Sequence, residues 1–345
     1  MSAARRVAHA RRWGPGGPAS VRLALLALLA LAALVALVAL VAAGCSPQPE
    51  ATPIDATTTT ARPAPTNKAH SAPRVIVVVE ENHSYDSIMG SPDAPFLHSL
   101  ARQGTLLTSY HAITHPSLPN YLALLGGDTL GITDDCPTCT LDASNLVDQL
   151  EAAGVSWRAY LQGLPAPCSN VPTASSYARK HNPFMYFDSV RTSPARCAKA
   201  VPSSGLDADI AAGKLPRFVY IAPDLLHDMH GTGQQGDPQL VSVADGWLHD
   251  LYDRLRASPA WQEDTRLVVT FDEGGSGDDA GCCGGTVHGG HVATIVAGPR
   301  IRAGTDSRAY SHYSLLRSTE TLYGLPHLRH AADPATADIP VIAKR

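Results

Sequence analysis

Three apolar, β-branched runs in this sequence end on acids. "RVIVVVEEN" (74–82) closes on Glu80, Glu81 and Asn82, "RFVYIAPD" (217–224) on Asp224, and "RLVVTFDE" (266–273) on Asp272 and Glu273. Carboxylate and amide oxygens are hard ligands, suited to Mg, Mn or Ca and, with imidazole added, to Zn or Fe. Acids at strand ends also cap the helices that follow. Three separate strands ending this way put several carboxylates on one rim, where they repel one another unless a cation holds them. Histidines stand nearby in sequence: His227, Asp228 and His230 in "PDLLHDMHG", and His288 and His291 in "VHGGHV".

A nucleophile candidate lies in "ITHPSLPNYLALLGG" (113–127), where Ser117 sits between Pro116 and Pro119 at the expected start of a helix. Proline is tolerated in a first helical turn and stiffens it. A serine there can act as a helix cap. It can also be held at a fixed angle where backbone N–H groups point at anions. A neighbouring metal would lower its pKa and polarise a phosphoryl oxygen. Asn120 could then donate its amide to a non-bridging phosphate oxygen.

These residues need a scaffold. The acid-tailed runs and "VATIVAGP" (292–299) lack the alternation of a half-exposed strand, which predicts strands buried on both faces of a parallel sheet. Between them, 95–104, 143–154 and 240–259 have helical patterning, with Ser144 or Asn145 as a cap and Gly154 as a stop for the second. Strands alternating with helices predict an α/β three-layer sandwich around a mostly parallel central sheet. In such sheets ligands bind beyond the carboxyl ends of the strands.

The remainder of the chain sets its context. Arg5, Arg6, Arg11, Arg12 and Arg22 precede an unbroken apolar stretch from Leu23 to Ala43, as in an export signal or an uncleaved anchor. Ala42-Ala43-Gly44-Cys45 resembles a lipobox, with Ala42 where the pattern prefers Leu. Residues 1–45 are therefore expected to be a leader or lipid anchor, 46–73 a Pro/Thr/Ala-rich linker, and 74–345 the catalytic body, all outside the cytoplasm. The leader takes five arginines and no carboxylate, leaving 22 basic against 31 acidic residues, net −9. That balance argues against nucleic acid as a partner, and any membrane contact is expected through the N-terminus. Six further cysteines in an exported chain predict disulfides. Cys136 with Cys139 and Cys168 with Cys197 are natural pairs. Cys282-Cys283 is either a vicinal bridge or two bridges to elsewhere. The spacings fit no standard zinc finger, the alternative use for them.

In this order, "EENHSYD", "THPSLPNYLALLGG", "PDLLHDMHG" and "TFDEGG…GGHVATIVAGP" resemble the motifs of the bacterial phosphoesterase family of secreted acid phosphatases and phospholipases C, within the alkaline-phosphatase-like superfamily. The resemblance covers about 74–325. It implies a divalent metal held by Glu81, Asn82, Asp272 and Glu273, with Ser117 as nucleophile. It implies Asn120 as the phosphate-binding amide and His115 as a substrate contact. It places His227, Asp228 and His291 in motifs that bind phosphate or metal, with Asp224 in reserve. The implied reaction is hydrolysis of a phosphomonoester, on a phosphorylated small molecule or phosphoinositide-type substrate. A phosphodiesterase or phospholipase C on the same residues is the rival, and a non-catalytic lipoprotein binding a phosphorylated ligand a more distant one. Phospholipases C of the family carry large C-terminal additions, whereas this sequence stops at residue 345 after "GGHV" at 289–292. That favours the short phosphatase branch.

Overall fold

A computed structural model describes residues 72–233, 236–283 and 287–344. The expected leader and nearly all of the linker lie outside the described residues. The central sheet has eight strands, numbered here in chain order: β1 Arg74–Glu80, β2 Thr105–Leu107, β3 Trp157–Leu161, β4 Ala200–Pro202, β5 Phe218–Ala222, β6 Thr265–Phe271, β7 Thr294–Ala297 and β8 Gly304–Asp306. Their order across the sheet is β8-β2-β7-β6-β1-β5-β3-β4. β1 pairs in parallel with both β5 and β6, and every residue of β1 and β6 is buried. Val- and Ile-rich runs without alternation suit central strands covered on both faces. β7 is the exception to the expected parallel set, because it runs antiparallel to β6 and β2. The short strands β2, β4 and β8, three residues each, with β4 and β8 at the two edges, carry no readable pattern and were not expected.

Six longer helices complete the layers: α1 Pro95–Gln103, α2 Ser117–Gly126, α3 Leu146–Ala152, α4 Ser204–Ala211, α5 Asp237–Ala257 and α6 His312–Tyr323. Leu124 and Leu125 of α2, Leu146 of α3 and Leu315 and Leu316 of α6 close over Val77, Phe218 and Tyr220 of the sheet. On the other helical layer, the Asp245 carboxylate of α5 accepts the N–H groups of Phe96 and Leu97, both at 2.8 Å, and so caps α1. Asn145 caps α3 as expected, in a reciprocal box with Asp148. Among the described residues no helix is long and apolar enough to cross a membrane.

Side chains alternate along a strand, and this sorts the tandem acids of β1. Val77 faces α2, so Glu81 lies on that face and Glu80 on the opposite one, toward Asp245. Glu80 is fully buried, neither of its carboxyl oxygens has a hydrogen-bond partner, and burial holds its pKa well above the usual range. It lies on the face of β1 away from Ser117, and no hydrogen bond ties it to the Ser117 cluster.

The disulfides are Cys136–Cys139, Cys168–Cys197 and the vicinal Cys282–Cys283. Pairing all six leaves no thiolate among them for zinc.

Candidate active site

Ser117 is the first residue of α2, with Pro116 before it as the N-cap. Its hydroxyl does not cap the helix. Fully buried, it lies 3.1 Å from Glu273 Oε1, 3.3 Å from Asn82 Oδ1 and 3.4 Å from Glu81 Oε2. Three acceptors from two strand ends therefore surround one hydroxyl oxygen. Asn82 explains how consecutive residues both reach it. With φ at 51°, Asn82 adopts the left-handed conformation that Asn tolerates better than most residues, and this breaks the alternation of β1. The turn is held by Asp272: its Oδ1 accepts the Asn82 N–H at 3.1 Å and the Glu273 N–H at 2.7 Å.

Two carboxylate oxygens in this arrangement make no hydrogen bond. Asp272 Oδ2 is buried without a partner, as is Asp228 Oδ2, and buried polar atoms are otherwise almost always satisfied. Burial, with Glu81 and Glu273 nearby, drives the Asp272 carboxyl well above its ordinary range. Burial also raises Glu273, against the pull of His115. A bound divalent ion would remove these penalties, so Glu81, Asn82, Asp272 and Glu273 fit the metal the sequence implies. A second donor group shares Glu81. The ligand atoms of Glu81, His181 and Asp228 all lie within 4.8 Å of one another. His181 Nε2 stands 3.0 Å from Glu81 Oε1 and 3.5 Å from Asp228 Oδ2, yet makes no well-directed hydrogen bond. Asp228, buried, is pushed up to about 7 despite His181.

Glu81 is the hub. Besides Ser117 and His181, it accepts Tyr121 Oη at 2.6 Å and pairs with Lys180 Nζ at 2.8 Å. Burial would raise its pKa; Lys180 and His181 outweigh burial and hold it well below the carboxylate range. Tyr121 follows Ser117 by four residues on α2, hence on the same helix face. Lys180 also donates to Ser117 Oγ at 2.9 Å. Lys180 and His181 come from a single 3₁₀ turn, Arg179–His181, that sequence reasoning passed over. The only signal was three adjacent basic residues in "ARKHNPF", without a spacing that tied them to Ser117.

His115 reaches the cluster from the other side. Its Nδ1 lies 2.6 Å from Glu273 Oε2, and its Nε2 2.9 Å from the Asp278 carbonyl. A carbonyl only accepts, so Nε2 carries a proton. Burial opposes the charged ring, but the Asp278 carbonyl and Glu273 prevail and raise its pKa. Loop 287–291 supports this corner. A Cβ on Gly289 would lie 2.5 Å from the Thr114 nitrogen, so only glycine lets the loop pack so closely on the segment before His115.

Other expected residues are placed elsewhere. The Asn120 side chain is used up inside its own turn. Its oxygen accepts the N–H groups of Ile113 and Thr114, and its amide donates to the carbonyls of Thr114 and Pro116. It shapes the Ser117 turn and offers no free amide to phosphate. His227 pairs with Asp224 at 2.7 Å, and Asp224 accepts Ser176 Oγ, a separate group on the rim. His291 stacks on Tyr85 with centroids 4.4 Å apart and on His111 at 5.2 Å, and its Nε2 meets the Thr108 carbonyl. Neither His227 nor His291 bonds to the Ser117 cluster.

His312, also unforeseen, braces the site from α6. It is fully buried. Its Nε2 donates to the Asp272 carbonyl at 2.6 Å and its Nδ1 accepts Tyr110 Oη at 3.0 Å. Burial lowers its pKa to about 4 from 6.5. A depressed folded-state pKa gives stability that is present above pH 6.5 and lost as pH falls toward 4. His312→Gln is expected to cost about 1–3 kcal/mol at pH 7. The gap between wild type and variant should then narrow by up to roughly 3 kcal/mol at pH 4.5. Urea melts of both proteins across this range test it. A gap that stays constant with pH would mean that His312 is not held neutral.

The fold matches solved structures. A member of the alkaline phosphatase superfamily from Vibrio parahaemolyticus aligns with a TM-score of 0.54 at 14% identity, over 76% of this chain and 70% of that one. That likeness is one of fold, and the class of protein, a hydrolase of phosphoric esters, comes from the family and its members. The chain belongs to the Phosphoesterase family, whose model matches residues 91–326. It is 36% identical over 269 residues to a phosphatidylinositol-3-phosphatase of Mycobacterium tuberculosis, covering 77% of this chain and 82% of the relative. To a probable acid phosphatase of Kluyveromyces lactis it is 34% identical over 275 residues, covering 77% of this chain and 62% of the relative.

Proposed function

We propose that this protein is an exported, metal-dependent phosphomonoesterase that works through a phosphoserine at Ser117. The observation that carries this reading is the buried Ser117 oxygen, within 3.4 Å of Glu81, Asn82 and Glu273 and 2.9 Å from the Lys180 ammonium. A cation held by Glu81, Asn82, Asp272 and Glu273 would supply positive charge to the phosphoryl oxygens. Ser117 Oγ attacks phosphorus in line, the bond to the leaving oxygen breaks, and water then hydrolyses the phosphoserine. Glu273 Oε1, 3.1 Å away, is the nearest carboxylate acceptor for the serine proton. His115 holds the other oxygen of that carboxylate and so fixes its orientation.

Export is supported by the three disulfides and by the basic-then-apolar N-terminus, with anchoring through Cys45 or the apolar stretch. The name of the Mycobacterium tuberculosis relative makes phosphoinositide monoesters the first substrates to try. The full chain should hydrolyse an aryl phosphate monoester at least ten-fold faster than the matching diester, and chelator should abolish both activities until a divalent ion is restored. Faster diester cleavage would favour the phosphodiesterase or phospholipase C reading, and full activity in chelator would remove the metal.

A further inference from the structure

Ser117 is fully buried, and what stands over it is an ion pair. Lys180 Nζ donates to Ser117 Oγ, and its side chain is 12% exposed. Beyond it lies Asp135, 39% exposed, in the loop after α2. Asp135 Oδ1 accepts the N–H of Leu118, the residue after the serine, at 2.8 Å, and Oδ2 lies 3.7 Å from Lys180 Nζ. One carboxylate thus spans an ammonium and a first-turn amide that flank the nucleophile. These are the contacts that a tetrahedral phosphoryl group on Ser117 would need. The two side chains are held together from below. The Arg179 guanidinium bonds the carbonyls of Pro137 and Cys139, so the Cys136–Cys139 loop that begins beside Asp135 is tied to the turn that carries Lys180.

Resting on Ser117 as the nucleophile, we propose that Lys180 is a further catalytic residue. Its ammonium holds the serine oxygen and then a non-bridging phosphoryl oxygen, and the Asp135 carboxylate keeps that place until substrate displaces it. The Lys180 Nζ is placed as a donor, 2.9 Å from Ser117 Oγ and 2.8 Å from the Glu81 carboxylate. It contributes charge and a donor to the developing transition state and does not act as a base. Asp135 competes with the substrate phosphate for the same two donors, so it sets affinity for any phosphoryl group.

The test uses the full chain saturated with divalent ion, an aryl phosphate as substrate and inorganic phosphate as inhibitor. Lys180→Met should slow phenol release in the first turnover about 10²–10³-fold, the usual effect of losing one preorganised donor, and should weaken phosphate inhibition. Lys180→Arg should recover part of the rate, because charge is kept while the compact ammonium geometry is lost. Asp135→Asn should tighten phosphate inhibition several-fold. First-turnover release at the wild-type rate in Lys180→Met, with Ser117 still phosphorylated, would overturn the role of Lys180. It would mean that the ammonium merely neutralises the acids when no metal is bound. If Lys180→Met does not fold by thermal melting, Lys180→Arg carries the test, and an unchanged rate there is equally fatal. Unchanged or weaker phosphate inhibition in Asp135→Asn would overturn the placeholder role. An unphosphorylated Ser117 in turning-over wild type is a separate result, because it would sink the nucleophile assignment itself.

Discussion

Ser117→Ala should lose at least about 10⁴-fold in kcat, the scale seen when a covalent nucleophile is deleted, while the protein folds and binds metal normally. The reason is positional. The hydroxyl makes no helix-capping bond, and its contacts are with Glu81, Asn82, Glu273 and Lys180. A capping serine would show the opposite pattern, with stability lower by about 0.5–2 kcal/mol and activity per folded molecule preserved. Normalising turnover to folded protein separates the two. Ser117→Thr should keep measurable activity if the pocket admits one more methyl, since threonine presents the same hydroxyl. Near-normal turnover in Ser117→Ala would leave His115 or a water as the attacking group.

The second large effect is expected at Glu81. Glu81→Gln keeps the shape and loses the charge, and Lys180 and His181 then face each other across a buried amide. Breaking a buried ion pair by removing one partner typically costs about 3–5 kcal/mol. Part of that is returned by relief of Asp228 and Asp272, whose carboxyls Glu81 pushes up, so a net loss of about 3 kcal/mol is expected. Activity should fall much further than stability explains, on the order of 10³-fold, because Glu81 is shared by both candidate cation groups and losing the ion's charge costs several kcal/mol in the transition state. Chemical denaturation, isothermal titration with Mg, Mn, Ca and Zn, and steady-state rates measure the three consequences separately. A Glu81→Gln protein that binds metal as tightly as wild type would move the cation site away from β1.

How much of this was readable beforehand follows from what each residue depends on. Glu81, Asn82, Asp272 and Glu273 could be singled out because they follow buried strands, but that β1 and β6, far apart in the chain, are neighbours with Glu80 opposite Phe271 was not readable from either run. Ser117 was legible because prolines mark its turn. Which of the tandem glutamates serves the site was not settled by pattern alone; it follows from which face of β1 meets α2. Asn120 misled because an amide one turn after a nucleophile looks free in one dimension. In three dimensions the turn before Ser117 has backbone groups that need partners, and Asn120 satisfies four of them. Lys180, His181, Asp135 and His312 were invisible for another reason. They sit on a 3₁₀ turn, just before a disulfide-closed loop and on the first residue of a distant helix. No periodicity links such segments to α2, and only chain packing brings them to Ser117 and the acids around it. The antiparallel run of β7 was equally hidden, since strand direction leaves no mark on an apolar run.

A phosphoserine at Ser117 and direct transfer to water differ in the stereochemical course at phosphorus. A phosphate monoester made chiral with oxygen isotopes is supplied to the wild-type protein together with an acceptor alcohol, and the configuration of the transferred phosphoryl group is read by NMR. Two in-line displacements, first by Ser117 and then by the acceptor, predict net retention. Net inversion would show a single displacement and would contradict the phosphoserine mechanism.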